Sequence, residues 1–221
     1  MGARTLVVGD VHGCIDELVE LLALAKLTVS DRLVFAGDLV AKGPDSQAVV
    51  ALARERGALA VLGNHDAHVL KARSGDGASL KGSHREAARA LREPDWQYLE
   101  TLPLWLDFPE LNALVVHAGL LPQVPLEQQP RHLLLNLRSI DAEGRGSPRV
   151  SAGRPWAQLW PGPRFVVFGH DALRKLQRHP FALGLDTGCV YGGHLSAVWL
   201  PERTLIQVPA KRAYVPVDGA G

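Results

Sequence analysis

Residues 33–46, LVFAGDLVAKGPDS, decide how the rest of the chain is read. Leu33 to Phe35 is a short apolar run that suits a buried strand. It delivers Asp38 on a Gly-flanked turn, and a new helix opens at Pro44. Three more segments read as strand ends with polar donors: Gly9-Asp10-Val11-His12-Gly13, Gly63-Asn64-His65-Asp66 and His117-Ala118-Gly119, with Gly169-His170 as a fourth. One carboxylate at a strand end is commonplace. The set is not, because it supplies the donors that a metal needs, and it casts Asp38 as a bridge between two ions that the other side chains complete.

Working outward, the same strand, loop and helix order recurs. Thr5 to Val8 is an apolar run ended by Gly9, after which Ile15, Leu18, Val19, Leu22 and Ala25 repeat at helical spacing. Beyond Asp38, Val49, Leu52 and Ala53 share a helical face that stops at Gly57, and Ala58 to Leu62, the Asn64 loop and a helix through Val69 and Leu70 form a third unit. Repetition of this unit argues an α/β fold. Leu114–Val116 and Phe165–Phe168 are further buried strands; residues 121–131 read as an irregular loop, a helix follows from about His132 to Ser139, and 141–155 read as a surface loop. From Phe181 the chain turns to short strands, Ala182–Leu185, His194–Leu200 and Thr204–Val208, which suggests a second sheet packed on the first. The whole is read as one domain, residues 1–221, with a basic helical cap at about 67–110. From Ala67 to Arg92, Lys71, Arg73, Lys81, Arg85, Arg89 and Arg92 face only Asp76 and Glu86, a charge balance that suits a polyanion.

Bulk composition narrows the partners. The 221 residues are 47% hydrophobic, enough for one sizeable core, and the net charge of +1 gives no global case for nucleic-acid or anionic-membrane binding. Cys14 and Cys189 are too few for a disulfide framework and fit a reducing cytoplasm. No apolar stretch reaches membrane-spanning length, the N-terminus has no signal-like core, and Leu6 stands where lipidation at Gly2 would want Ser or Thr. The expected setting is cytoplasmic.

Carboxylate, imidazole and Asn amide donors form a mixed O/N set that suits manganese, iron or zinc better than calcium or a thiolate-seeking metal. Open α/β sheets place their binding crevice beyond the carboxyl ends of the strands, where all these clusters lie. Two ions about 3.5–4 Å apart, sharing one carboxylate, can hold a bridging hydroxide and the oxygens of a phosphoryl group. Residues 37–43 lack the ending of a phosphate-binding Walker loop. His68, His84, His132, His179 and His194 lie outside the motifs and read as non-ligands, Cys14 as a small packing residue, and Trp156 and Trp160 as packing beneath the Gly169 loop.

These motifs resemble the phosphoprotein-phosphatase-type metallophosphoesterases over residues 6 to about 210. The resemblance implies a calcineurin-like metallophosphoesterase fold, two β-sheets sandwiched between helices (α/β/β/α). By motif it implies that Asp10, His12 and Asp38 bind one metal and that Asp38, Asn64, His117 and His170 bind the second, with His65 as general acid or electrostatic stabiliser. It also implies two divalent ions, manganese first, with zinc, iron or cobalt as alternatives. Within the family, GDLVAKGPDS, GNHDAH, LNLRS, VFGHDA and LDTGCVYGG are most similar to symmetrical diadenosine tetraphosphatases and ApaH-like phosphatases.

Protein Ser/Thr phosphatases carry Asp-Arg where this chain has Ala41-Lys42, and Glu where it has Asp66. Without that Asp there is no carboxylate to hold a proton on His65, which suits a nucleoside diphosphate leaving group better than a serine alkoxide. Lys42 keeps the charge of the Arg usual in the tetraphosphatases but loses its planar fork; the ApaH-like branch has Lys. Arg138, on the helix after the His117 loop, is a candidate second phosphate clamp, and Tyr191 is a candidate to stack on a base or cover the metals. The expectation is a metal-dependent phosphoric anhydride hydrolase, a symmetrical bis(5'-nucleosyl)-tetraphosphatase giving two ADP from diadenosine tetraphosphate by attack of a metal-bridging hydroxide. Its partner would be a dinucleoside polyphosphate or other phosphorylated small molecule, with no stable nucleic-acid partner and no membrane. The rivals are a phosphoprotein Ser/Thr phosphatase, an mRNA cap or polyphosphate hydrolase of the ApaH-like branch, and an idle nucleotide sensor.

Overall fold

The computed structural model describes residues 4–75 and 77–216. Its first half runs β1 (Thr5–Val8), α1 (Ile15–Leu24), β2 (Arg32–Phe35), α2 (Ser46–Glu55), β3 (Leu59–Ala60), α3 (Asn64–Leu70), α4 (Gly82–Ala90), α5 (Glu93–Glu100), β4 (Trp105–Phe108) and β5 (Ala113–Val116). The second half runs α6 (Arg131–Asn136), β6 (Ser139–Ile140), β7 (Gly146–Ser147), β8 (Arg154–Pro155), α7 (Trp156–Leu159), β9 (Phe165–Phe168), β10 (Gln177–His179), β11 (Ala182–Gly184), β12 (His194–Leu200) and β13 (Thr204–Pro209). One sheet has the order β13-β12-β1-β2-β3, with β1, β2 and β3 parallel. The other has the order β10-β11-β9-β5-β4, with β5, β9 and β11 parallel.

Alternation along the strands sets the layers, since successive side chains leave opposite faces. Val7, Val34 and Val198 of the first sheet meet Val115, Val167 and Leu183 of the second in the core between them. Leu6, Val8 and Phe35 point the other way and pack with Leu18 and Leu21 of α1 and Val49 and Ala53 of α2. Leu114, Val116, Val166 and Phe168 likewise pack with Leu133, Leu134 and Trp156 outside the second sheet. The layers are therefore helix, sheet, sheet, helix, and every parallel strand aims its carboxyl end at one edge.

Several boundaries differ from the sequence reading. α2 starts at Ser46, not Pro44, because the Asp45 side chain caps it by accepting the Ala48 N–H at 2.9 Å. α6 ends at Asn136, with Leu137 already extended, so Arg138 lies beyond the helix, where its N–H donates to the Ser147 carbonyl at 2.9 Å. The expected loop at 141–155 contains β7 and β8, which pair with β6 in a small third sheet. The C-terminal strands are shared out: β12 and β13 extend the first sheet through β1, and β10 and β11 extend the second through β9. Of the basic segment, the described residues form the end of α3, then α4 and α5 with turns between them, and the chain then returns to the second sheet through β4.

Candidate metal centre

Each predicted donor follows the end of a parallel strand, and neighbouring loops are zipped together by backbone bonds. Val11 and His12 N–H both donate to the Asp38 carbonyl, at 3.1 and 2.8 Å, and the Gly169 N–H donates to the His117 carbonyl at 2.8 Å. His12, Asp38 and His170 have φ values of 49°, 51° and 68°, a region that costs a side chain energy and persists only where its surroundings enforce it. Gly63 and Gly169 allow the closest approaches. A Cβ at Gly63 would run into Asp38 Oδ1, and one at Gly169 into Asp10 Oδ1.

Asp38 stands at the middle. Its Oδ2 is 3.5 Å from Nε2 of both His12 and His117, and its Oδ1 accepts the His65 N–H at 2.9 Å. Asn64 Oδ1 lies 2.9 Å from His117 Nε2 and 3.0 Å from His170 Nδ1. Asp10 accepts the His170 N–H at 3.1 and 3.0 Å. Donor atoms of Asp10, Asp38 and His117 lie within 4.8 Å of one another, as do those of His12, Asp38 and His65, so Asp38 belongs to both groups. The structure thus brings Asp10, His12, Asp38, Asn64, His65, His117 and His170 into one cluster.

The chemistry of this donor set fits cations. His12 Nδ1 is 3.1 Å from the Val40 carbonyl and His117 Nδ1 is 2.9 Å from the Ala36 carbonyl. A carbonyl only accepts, so both rings carry a proton on Nδ1, and in the neutral ring Nε2 presents a lone pair. Those lone pairs converge on the Asp38 carboxylate and, for His117, on the Asn64 amide oxygen, so acceptor meets acceptor unless a positive ion lies between. Burial holds His12 well below the usual imidazole range, which keeps it neutral. The acids are crowded as well. Burial, then the charges of Asp186 and Asp38, push the Asp10 carboxyl well above the usual carboxylate range, and burial pushes Asp186 up to about 6.

The calcineurin-like phosphoesterase family model matches residues 3–195. The chain belongs to that family. The symmetrical bis(5'-nucleosyl)-tetraphosphatase of Coxiella burnetii is 30% identical over 95% of this chain and 93% of its own. The asymmetrical bis(5'-nucleosyl)-tetraphosphatase PrpE of Oceanobacillus iheyensis is 26% identical over 95% and 93%. A crystal structure of a protein provisionally described as a diadenosine tetraphosphatase superposes with a TM-score of 0.88 at 42% identity, covering 95% of both chains. A Saccharomyces cerevisiae protein serine/threonine phosphatase, at 17% identity and a TM-score of 0.64 over 94% of this chain and 79% of its own, shares the fold alone.

Around the centre of this phosphoesterase, the remaining predicted residues have distinct settings. Lys42 donates from Nζ to the Tyr191 hydroxyl at 2.7 Å and sits 5.1 Å from the centroid of its ring, so the two form one unit. Arg138 donates from Nη1 to the Pro148 carbonyl and from Nη2 to the His170 carbonyl, both at 3.1 Å, and lies 3.5 Å from Asp171; much of its guanidinium braces the His170 loop. Burial, then Lys42, push His65 down to about 2, so its ring is neutral. Within the basic segment Arg73 is already paired with Glu93 and Glu100. Trp156 lies against Gly119 and Phe168 and donates to the Ala118 carbonyl, which places it beneath the His117 loop and against the strand residue that leads into Gly169.

Three neighbours were given no role at the site in the sequence reading. Asp66 is fully buried and accepts N–H bonds from Asp38, Leu39, Val40 and Gly63 at 2.9–3.2 Å, pinning the Asp38 loop to the start of α3. Asp186 adds a fourth buried acid beside Asp10, Asp38 and Asp66, and its place after the β11 strand in Leu185-Asp186-Thr187-Gly188 was a usable signal. His84 approaches His65 from α4, and nothing in the polar text around it announces that contact.

Proposed function

We propose that this phosphoesterase hydrolyses the phosphoanhydride of dinucleoside polyphosphates, cutting diadenosine tetraphosphate symmetrically into two ADP. The observation that carries the proposal is Asp38, whose carboxylate lies 3.5 Å from two imidazole nitrogens that the backbone has fixed as acceptors. Asp10, His12 and Asp38 would hold one divalent ion, and Asp38, Asn64, His117 and His170 the other, with manganese the first choice for this oxygen and nitrogen set. When bound, such a pair lowers the pKa of water to the neutral range and neutralises phosphoryl oxygens.

The chain's own side chains would do the rest. Neutral His65 would offer an N–H to the phosphoryl group and the leaving oxygen, and Lys42, braced by Tyr191, would counter charge that develops in the transition state. Arg138 would act from the His170 loop, on the N–H groups its carbonyl contacts leave over. A nucleoside diphosphate leaves without protonation, so a neutral donor suffices. Both curated relatives support the substrate class, and the likeness of the motif text to symmetrical enzymes supports the position of the cut. Among the described residues no helix is long and apolar enough to cross a membrane; a cytoplasmic setting is proposed from the unpaired Cys14 and Cys189.

Product chromatography after incubation of diadenosine tetraphosphate with the manganese-loaded enzyme tests the proposal. ADP alone is expected; AMP with ATP would contradict symmetric cleavage, and faster release of phosphate from a phosphopeptide would contradict the substrate class. Asp38→Asn and Asn64→Ala should each abolish turnover while the fold survives. Near-normal rates in either would remove the ligand assignment.

A further inference from the structure

His84 Nε2 lies 2.7 Å from His65 Nδ1, with the two rings within 9° of parallel. His68 packs against His84 with ring centroids 4.6 Å apart, so three histidines of α3 and α4 meet beside the centre. Two ring nitrogens can share a bond only if one of them carries a proton, so this contact couples the tautomers of both rings. With the proton on His84 Nε2, His65 accepts through Nδ1 and bears its own proton on Nε2. Phosphoryl oxygens are acceptors, so a bound polyphosphate selects that arrangement; the opposite one turns a lone pair toward an anion. Asp66, the acid nearest to His65 in sequence, is spent on four backbone N–H groups and cannot supply the contact.

We propose that His84 is a positioning residue that holds His65 as an Nε2–H donor toward the phosphoryl group and leaving oxygen, and that α4 is thereby a working part of the active site. The proposal rests on the phosphoesterase role of His65 given above. No proton has to move between the rings; each keeps the one it starts with. The cap would then act through tautomer control as well as through its charge.

Steady-state kinetics on diadenosine tetraphosphate with His84→Ala, His84→Gln, His65→Ala and the double variant His65→Ala/His84→Ala test it. His84→Ala should lower kcat roughly 10–100-fold with KM and metal content near wild type. His84→Gln, whose amide N–H can donate at the same place, should recover most of the loss, and it keeps the test open if the alanine variant folds poorly. In the His65→Ala background the second substitution should cost nothing further. Losses that multiply in the double variant, or an unchanged kcat in His84→Ala, would overturn the proposal. A wild-type kcat in His65→Ala is a different result and would sink the role of His65 itself. Nitrogen NMR of the zinc-loaded enzyme should find His65 protonated on Nε2 and bare on Nδ1; the reverse would also overturn the proposal.

Discussion

Asp66 accepts four backbone N–H bonds while being wholly buried, so its carboxylate fixes the curvature that presents Asp38. Replacement by Ala strands four buried donors, each worth about 1–3 kcal/mol when left unpaired. Even with partial rescue by water, Asp66→Ala should cost about 3 kcal/mol or more in a urea titration. A loss below about 1 kcal/mol would mean the loop holds its shape by other means. Asp66→Asn is expected to be intermediate, because its NH2 group must face two of the four donors that the carboxylate now accepts, whichever way the amide turns.

Between elements, the centre depends on two glycines where loops cross. Gly169→Ala would drive a methyl group into Asp10 Oδ1; it should weaken manganese binding at least tenfold by calorimetry while circular dichroism stays unchanged, and undiminished affinity would refute the close approach. These crossings were legible in the sequence because Asp10, His12, Asp38, Asn64 and His170 each sit beside a glycine just past a short apolar run, a local signal for a strand entering a tight turn. The layered α/β architecture was legible for the same reason. What could not be read arises from contacts distant in sequence. α6 stops at Asn136 because the chain beyond it pairs with β7 and β8, segments too short and polar to show strand periodicity. Arg138 consequently turned from a helical side chain into a brace on the His170 carbonyl. His84 reaches His65 across 19 residues of glycine-rich, basic text in which no periodicity fixes a distance.

Across the whole molecule, three apolar clusters and two outer helical layers are spent on bringing like charges together at one edge, and the metal-free protein should register the cost. Above about pH 6.5 His12, His65 and His170 are neutral in the folded state and mostly neutral in the unfolded one. Asp66, pushed up to about 7 by burial and the Asp38 charge, and Asp10, held well above the usual carboxylate range by burial and then by Asp186 and Asp38, must still give up protons in the folded state. The folded state then binds more protons than the unfolded one, so stability falls as pH rises through this window. Below about pH 6.5 the sign reverses for His12, His65 and His170, whose lowered folded values let the unfolded chain take protons first. A chelated sample should therefore have its highest Tm near pH 6.5 and lose stability toward pH 8, and manganese should reduce the alkaline loss; an alkaline profile indifferent to manganese would count against cation binding by Asp10. The claim on which the account depends is tested most directly by anomalous scattering from a manganese-loaded crystal. Two peaks about 3.5–4 Å apart, with the Asp38 carboxylate between them, are the predicted result; a single peak, or a pair lying away from Asp38, would contradict it.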